Sequence, residues 1–335
     1  MCSVGDHGVG LPLMRDIYAT ALAAAQPRAI KLSTTKDIAA PLPPTNWLVP
    51  ALGFTPGPPI LVAGYGFSGK TMAVQSLALS VAAGRMAWGV YSTRSGRVVH
   101  LDYEQGSTVT FERYQRLARG AQIDLSALGD RLAVGVLPSI YLDDQDGESA
   151  YEAASEGAAM VIIDSFRASS PTVDENSSDC RKVLDRLSRV SERTGAAFLV
   201  IHHANKPMGG GSSAMSRYRI RGSGGIFDAC DNVMLFDAEE GEPTNVRNVK
   251  ARRKGITARQ FWLQVCDVQV GSDPRGGLVI RHLDGEQMDQ TPARPRWAGN
   301  VDSKDPTGGA SGLKSSAQGR NRTADTGIFN PHGDG

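Results

Sequence analysis

The sequence predicts an α/β fold, a mostly parallel sheet flanked by helices, on three observations. First, Pro59-Ile60-Leu61-Val62-Ala63 reads as a buried strand that runs into a glycine-rich turn and then a helical pattern, Thr71 to Ala83. Second, apolar strand-like runs alternate with helical patterns from about Trp47 to about Leu283, the order that parallel strands joined by covering helices require. Third, the runs Ala159 to Ile163 and Ala197 to Ile201 are apolar throughout, as strands buried on both faces are.

The elements follow in order. Residues 1–45 form an arm or linker that includes a short helical pattern, Arg15 to Ala25, and ends in Pro41-Leu42-Pro43-Pro44. Residues 46–290 form the main domain. After the Thr71 to Ala83 helix come a strand at Val98 to Tyr103, an exposed helix at Thr108 to Arg119, a strand at Leu132 to Leu137 and a short helix at Tyr151 to Glu156. Ser178 to Arg193 is amphipathic, with Val183, Leu184, Leu187 and Val190 on one face at helical spacing. Val233 to Phe236 and Phe261 to Val270 continue the sheet. Two segments break the pattern. Lys206 to Gly225 is rich in glycine and serine, carries Arg217, Arg219 and Arg221, and reads as a mobile loop. Residues 291–335 are poor in apolar residues and read as a disordered tail.

Bulk properties narrow the function. A chain of 335 residues with 41% hydrophobic content can bury a real core. A net charge of +1 argues against a protein that coats nucleic acid or membrane, while leaving room for a local basic groove. The four cysteines are far apart and show no C-x-x-C spacing, which argues against a disulfide framework or zinc site and favours free thiols. No run of 18 apolar residues and no signal-peptide pattern occurs, so the expectation is a cytoplasmic protein without a membrane partner.

The turn Gly64-Tyr65-Gly66-Phe67-Ser68-Gly69-Lys70-Thr71 fits G-x-x-x-x-G-K-[ST] at every fixed position. Gly64, Gly66 and Gly69 let the backbone through Phe67 and Ser68 bend so that its N–H groups point at a phosphate. The following helix adds its positive end. Lys70 can reach the outer phosphates and Thr71 can place a hydroxyl on Mg²⁺, so ATP and Mg²⁺ are the expected ligands.

Four further features suit hydrolysis. Asp164 follows a buried strand, where an acid can hold Mg²⁺; a helix-capping Asp is the bland alternative. Glu104 ends the strand after the first helix, where a base for the attacking water belongs, with Asp102 as its competitor on the same strand face and a solvated loop carboxylate as the alternative. His202 and His203 follow the Ala197 strand and suit a γ-phosphate sensor; a structural histidine is the rival, and a metal pair is disfavoured because neighbours on a strand point to opposite faces. The run Lys250-Ala251-Arg252-Arg253-Lys254 places Lys250 and Arg252 on one strand face, for a γ-phosphate in a neighbouring subunit or simply as a solvated edge.

Together, Trp47-Leu48-Val49-Pro50, the Gly64 to Thr71 turn, Asp102-Tyr103-Glu104, Ile162-Ile163-Asp164-Ser165, His202-His203-Ala204-Asn205-Lys206 and Arg221-Gly222-Ser223-Gly224 resemble the RecA-like P-loop ATPases of the RepA type. These are hexameric replicative helicases of plasmids, phages and mobile elements. The resemblance covers about residues 45–285. It implies a RecA-like domain in a homo-oligomeric ring, a hexamer, acting on single-stranded DNA with a replication initiator or primase as partner. By it, Lys70 and Thr71 bind ATP–Mg²⁺, Glu104 activates water, Asp164 holds the metal and His203 senses the γ-phosphate. Arg252 or Arg221 is the arginine finger, with Lys250 beside Arg252. Arg217, Tyr218, Arg219 and Arg221 face DNA, the arginines on phosphates and the ring stacked on a base. The region lacks a primase-binding or zinc domain. Gly319 to Pro331 resembles a peptide that recurs in translations running across transfer-RNA genes, so the tail is expected to carry no function. The leading reading is a DNA motor. A recombinase filament and a DNA-binding nucleotide switch that regulates a partner are the competing ones.

Overall fold

The computed structural model describes residues 30, 32–204, 220–222, 224–238, 242–253 and 255–285. The expected Arg15 to Ala25 helix and the tail lie outside the described residues, as do Arg217, Tyr218 and Arg219. Among the described residues the strands are β1 (Ile60–Gly64), β2 (Arg97–Asp102), β3 (Leu132–Val136), β4 (Ala158–Asp164), β5 (Ala197–His203), β6 (Asn232–Asp237), β7 (Thr244–Ala251), β8 (Gln260–Val268) and β9 (Gly277–Leu283). They form one sheet in the order β3-β2-β4-β5-β1-β6-β7-β8-β9. Neighbours from β3 through β6 run parallel, and β7, β8 and β9 extend the sheet antiparallel. The mostly parallel α/β architecture is therefore present.

The helices are α1 (Thr35–Ala39), α2 (Lys70–Ala83), α3 (Ser107–Gly120), α4 (Gly147–Ser155), α5 (Phe166–Ser169), α6 (Asp179–Thr194) and α7 (Gly224–Ala229). Strand alternation divides the core into two layers. Ile60 and Val62 of β1, Met160 and Ile162 of β4, and Leu199 and Ile201 of β5 join α2 and α3 on one face. Leu61, Ala63, Val161, Ile163, Phe198 and Val200 join α4, α6 and α7 on the other. On α6, Val183, Leu184, Leu187 and Val190 are buried, and the helix stops at Gly195 with φ 71°. Among the described residues no helix is long and apolar enough to cross a membrane.

Several expectations are corrected. The helix expected as exposed at Thr108 to Arg119 buries Thr110, Tyr114, Leu117 and Ala118, because α3 packs against β9 and α2. The helix expected at Tyr151 begins four residues earlier, at Gly147. The loop expected through Gly225 ends sooner, since Gly224 and Gly225 begin α7. The strand carrying Lys250 stops at Ala251, so Arg252 lies beyond it rather than on its face; there its backbone N–H donates to Asp231 O. Likewise β2 ends at Asp102, so Glu104 stands in the turn after the strand and the expected shared face does not exist.

Candidate functional site

Register alone gathers the candidate residues. Gly64 at the end of β1 is level with His203 of β5, Asp164 of β4 is level with Ile201, and Asp102 of β2 is level with Asp164. All are carboxyl ends of neighbouring parallel strands, the edge where open α/β sheets bind ligands.

The Gly64 to Thr71 turn spans from β1 to α2. Gly69 has φ 75°, a left-handed conformation that glycine adopts without steric cost, and it swings the chain into the helix. The Lys70 ammonium is buried and donates to Tyr65 O at 2.8 Å and to Ser68 Oγ at 3.4 Å. Burial lowers its pKa, opposed by Asp164 and Glu104. The turn is held from below by Thr244 of β7, whose hydroxyl donates to Ser68 O at 3.0 Å.

Thr71 Oγ1 donates to Asp164 Oδ2 at 2.9 Å. Asp164 is 2% exposed, and burial pushes its pKa up to about 7, with Glu104 and Asp102 adding to the rise and Thr71 and Lys70 opposing it. A buried carboxylate beside a hydroxyl is a hard-oxygen set suited to Mg²⁺, which takes one or two protein oxygens and completes its shell with water and phosphate. No cluster of three or more His, Cys, Asp or Glu arranged to hold a metal occurs among the described residues. With Lys70 adjacent, the residues fit ATP–Mg²⁺: Lys70 and the turn would hold the phosphates, Thr71 and Asp164 the metal, which when bound neutralises charge on the phosphates.

Glu104 completes the edge. Its Oε1 accepts from the Ser165 hydroxyl and from His203 Nε2 at 3.3 Å. The His203 bond, then the Ser165 bond, hold its pKa below the ordinary carboxylate value against partial burial. Asp102 is engaged elsewhere: Oδ1 accepts the backbone N–H groups of Glu104 and Gln105, and Oδ2 accepts the Thr110 hydroxyl. Between the two carboxylates, Glu104 is the one that faces the site. The histidines part as strand alternation requires. His202 is fully buried and hydrogen-bonds Arg221 O at 2.8 Å, while His203 reaches Glu104.

The cationic candidates separate. Arg221 stays at the carboxyl edge, just past the Ala204–Ile220 bridge, with Nε 3.1 Å from Glu175 Oε2. Lys250 and Arg252 lie at the opposite, amino edge, since Lys250 is level with Val233 and Ala251 with Asn232 at the start of β6. Lys250 Nζ donates to Phe227 O at 2.6 Å and to Asp228 O at 3.3 Å, closing the end of α7, and burial lowers its pKa. Arg252 pairs with Asp231 Oδ1 at 3.1 Å and keeps 56% of its side chain exposed. Neither reaches the phosphate turn of its own chain.

Ser165 and Thr244 were not singled out from the sequence. Ser165 stands next to Asp164, and its adjacency to a strand-end acid was the available signal; a lone threonine at the start of β7 gave none.

Residues 24–209 match the AAA domain family. No curated protein matches the chain. Among solved structures, the chain is similar to a KaiC-like protein from the hyperthermophilic archaeon Pyrococcus horikoshii OT3, at 16% identity over 70% of this chain and 93% of that one, with a TM-score of 0.47.

Proposed function

Because the chain belongs to the AAA domain family, a family of ATPases, we propose that it is an ATP-driven motor on single-stranded DNA, a ring-forming helicase of a mobile element. The observation that carries this reading is where the basic segment leaves the sheet. The chain departs at Ala204 and returns at Ile220, directly beside His203, which touches Glu104. A segment whose sequence holds Arg217, Tyr218 and Arg219 thus leaves and re-enters beside a residue that touches the hydrolytic carboxylate. Phosphates on the arginines and a base on the tyrosine would, in this reading, act on His203 through the Ala204–Ile220 bridge and the Arg221 N–H donated to His203 O.

In this reading Lys70 and the turn hold the phosphates, and Glu104 takes the proton of the attacking water. His203 orients Glu104 and meets the γ-phosphate. The experiment is ATP hydrolysis with and without single-stranded DNA, with Lys70→Ala as the blank. Clear stimulation by the DNA is the expected result. Hydrolysis indifferent to DNA would sink the motor and leave the nucleotide switch.

In this reading Arg252, half-exposed at the amino edge, is the cation offered to a neighbouring subunit's nucleotide. Subunits carrying Arg252→Ala, mixed with Lys70→Ala subunits, are expected to lose most of the hydrolysis that wild-type subunits give in the same mixture. Equal rates would remove Arg252 and turn attention to Arg221.

A further inference from the structure

We propose that Asp102 and Thr110 are positioning residues that set where the Glu104 carboxylate stands. The inference rests on the reading of Glu104 as the group that activates water. Asp102 and Thr110 are both fully buried. Asp102 is the last residue of β2, and one of its oxygens takes both N–H groups that open the turn, from Glu104 at 3.0 Å and Gln105 at 2.9 Å. The other oxygen takes the Thr110 hydroxyl from α3.

A second polar rung runs beside the first: His100 Nδ1 lies 2.9 Å from Tyr114 Oη. Two residues along a strand span about 6.6 Å, and four residues along a helix rise about 6 Å. His100 and Asp102 therefore match Tyr114 and Thr110 rung for rung. The far end of α3 is also fixed. Arg116 pairs with Asp267 of β8 at 2.5 Å, and Arg119 Nε donates to Gly276 O at 2.9 Å. Gly120 lies so close to Leu278 of β9 that an added Cβ would collide with its backbone. Thr110 is thus carried on a helix anchored at both ends.

Packing alone does not call for a carboxylate here. Apolar side chains of similar volume would fill the same space without the desolvation cost of a buried charge. An apolar residue cannot accept the two N–H groups from which the Glu104 side chain departs. A shift of about 1 Å at a reacting group costs up to about 100-fold in rate, so that departure point bears directly on turnover.

Thr110→Val is the test, because it keeps the shape of threonine and removes only the hydroxyl. ATP turnover is expected to fall about tenfold while KM and affinity for a non-hydrolysable ATP analogue stay within about twofold. Thr110→Ser is expected to restore turnover. Tyr114→Phe, which breaks the rung that does not touch the Glu104 turn, is expected to leave turnover within about twofold. Hydrogen exchange at the Glu104 and Gln105 amides is expected to quicken in Thr110→Val and not in Thr110→Ser. Wild-type turnover in Thr110→Val would overturn the proposal. So would a joint loss of turnover and analogue affinity, or equal losses in Thr110→Val and Tyr114→Phe, since either marks general loosening of α3. If the wild-type chain hydrolyses no more ATP than Lys70→Ala, the ATPase reading fails by itself. Amide exchange then still decides the pair: unchanged exchange in Thr110→Val overturns it.

Discussion

Glu104→Gln is expected to lower ATP turnover by about 10²–10⁴-fold, the usual contribution of a positioned general base, with nucleotide affinity retained. The substitution keeps the shape of the side chain and an oxygen that can still accept from Ser165 and His203. It removes the ability to take a proton from water. The wild-type carboxylate is held ionised by those two bonds, with its pKa below the ordinary value. Hydrolysis should therefore keep its base across neutral and mildly acidic pH and lose it only below the usual carboxylate range. Single-turnover hydrolysis, set beside binding of a non-hydrolysable analogue, separates the two effects. Turnover within about threefold of wild type would place the base elsewhere. Asp102 is a poor substitute, because both of its oxygens already serve the Glu104 turn and Thr110.

The part of the molecule most legible from sequence is the part governed by periodicity. The strands β1, β4 and β5 are apolar up to their carboxyl ends because helices cover both faces, and α6 carries one apolar stripe because one side meets solvent. The glycine-rich turn between β1 and α2 reads directly, since its residue types follow from the backbone bend it makes. Legibility falls where the chain leaves its period. Strand alternation placed Asp102 and Glu104 together, but the chain turns after Asp102, and no local pattern announces that a buried carboxylate will bind the next two amides. Arg252 was misplaced for a similar reason, one residue past the end of β7. β9 escaped because its apolar run, Leu278 to Ile280, is short and gives way to Arg281 and His282, and it is buried through pairing with β8 and contact with α3. Ser165 shows the limit most plainly: its bond to Glu104 joins residues far apart in sequence, and only the β2–β4 pairing brings them together.

Asp164→Asn is expected to stabilise the nucleotide-free chain above neutral pH while abolishing its hydrolysis. Burial raises the Asp164 pKa from 3.8 to about 7. The folded chain thus keeps a proton that the unfolded chain releases at lower pH. Stability from this group is fully present below about pH 4 and is lost as pH rises through about 7. At about 1.4 kcal/mol per unit, the loss is on the order of 4 kcal/mol. Asparagine carries no charge to bury and escapes that loss. The Asn variant should therefore melt several degrees above wild type at pH 8, with the gap closing toward pH 5. Adding Mg²⁺ and ATP at pH 8 should raise the wild-type midpoint, because the cation offsets the buried charge, and should raise the Asn midpoint much less. Turnover in the variant should fall at least about 100-fold, since the metal supplies several kcal/mol of charge stabilisation. Parallel melting curves across pH in the two proteins would mean that Asp164 is ionised in the free chain and that Lys70 outweighs its burial. The divergent result would mean that the free chain holds a neutral acid at the strand end, whose ionisation is completed by the ligand it binds.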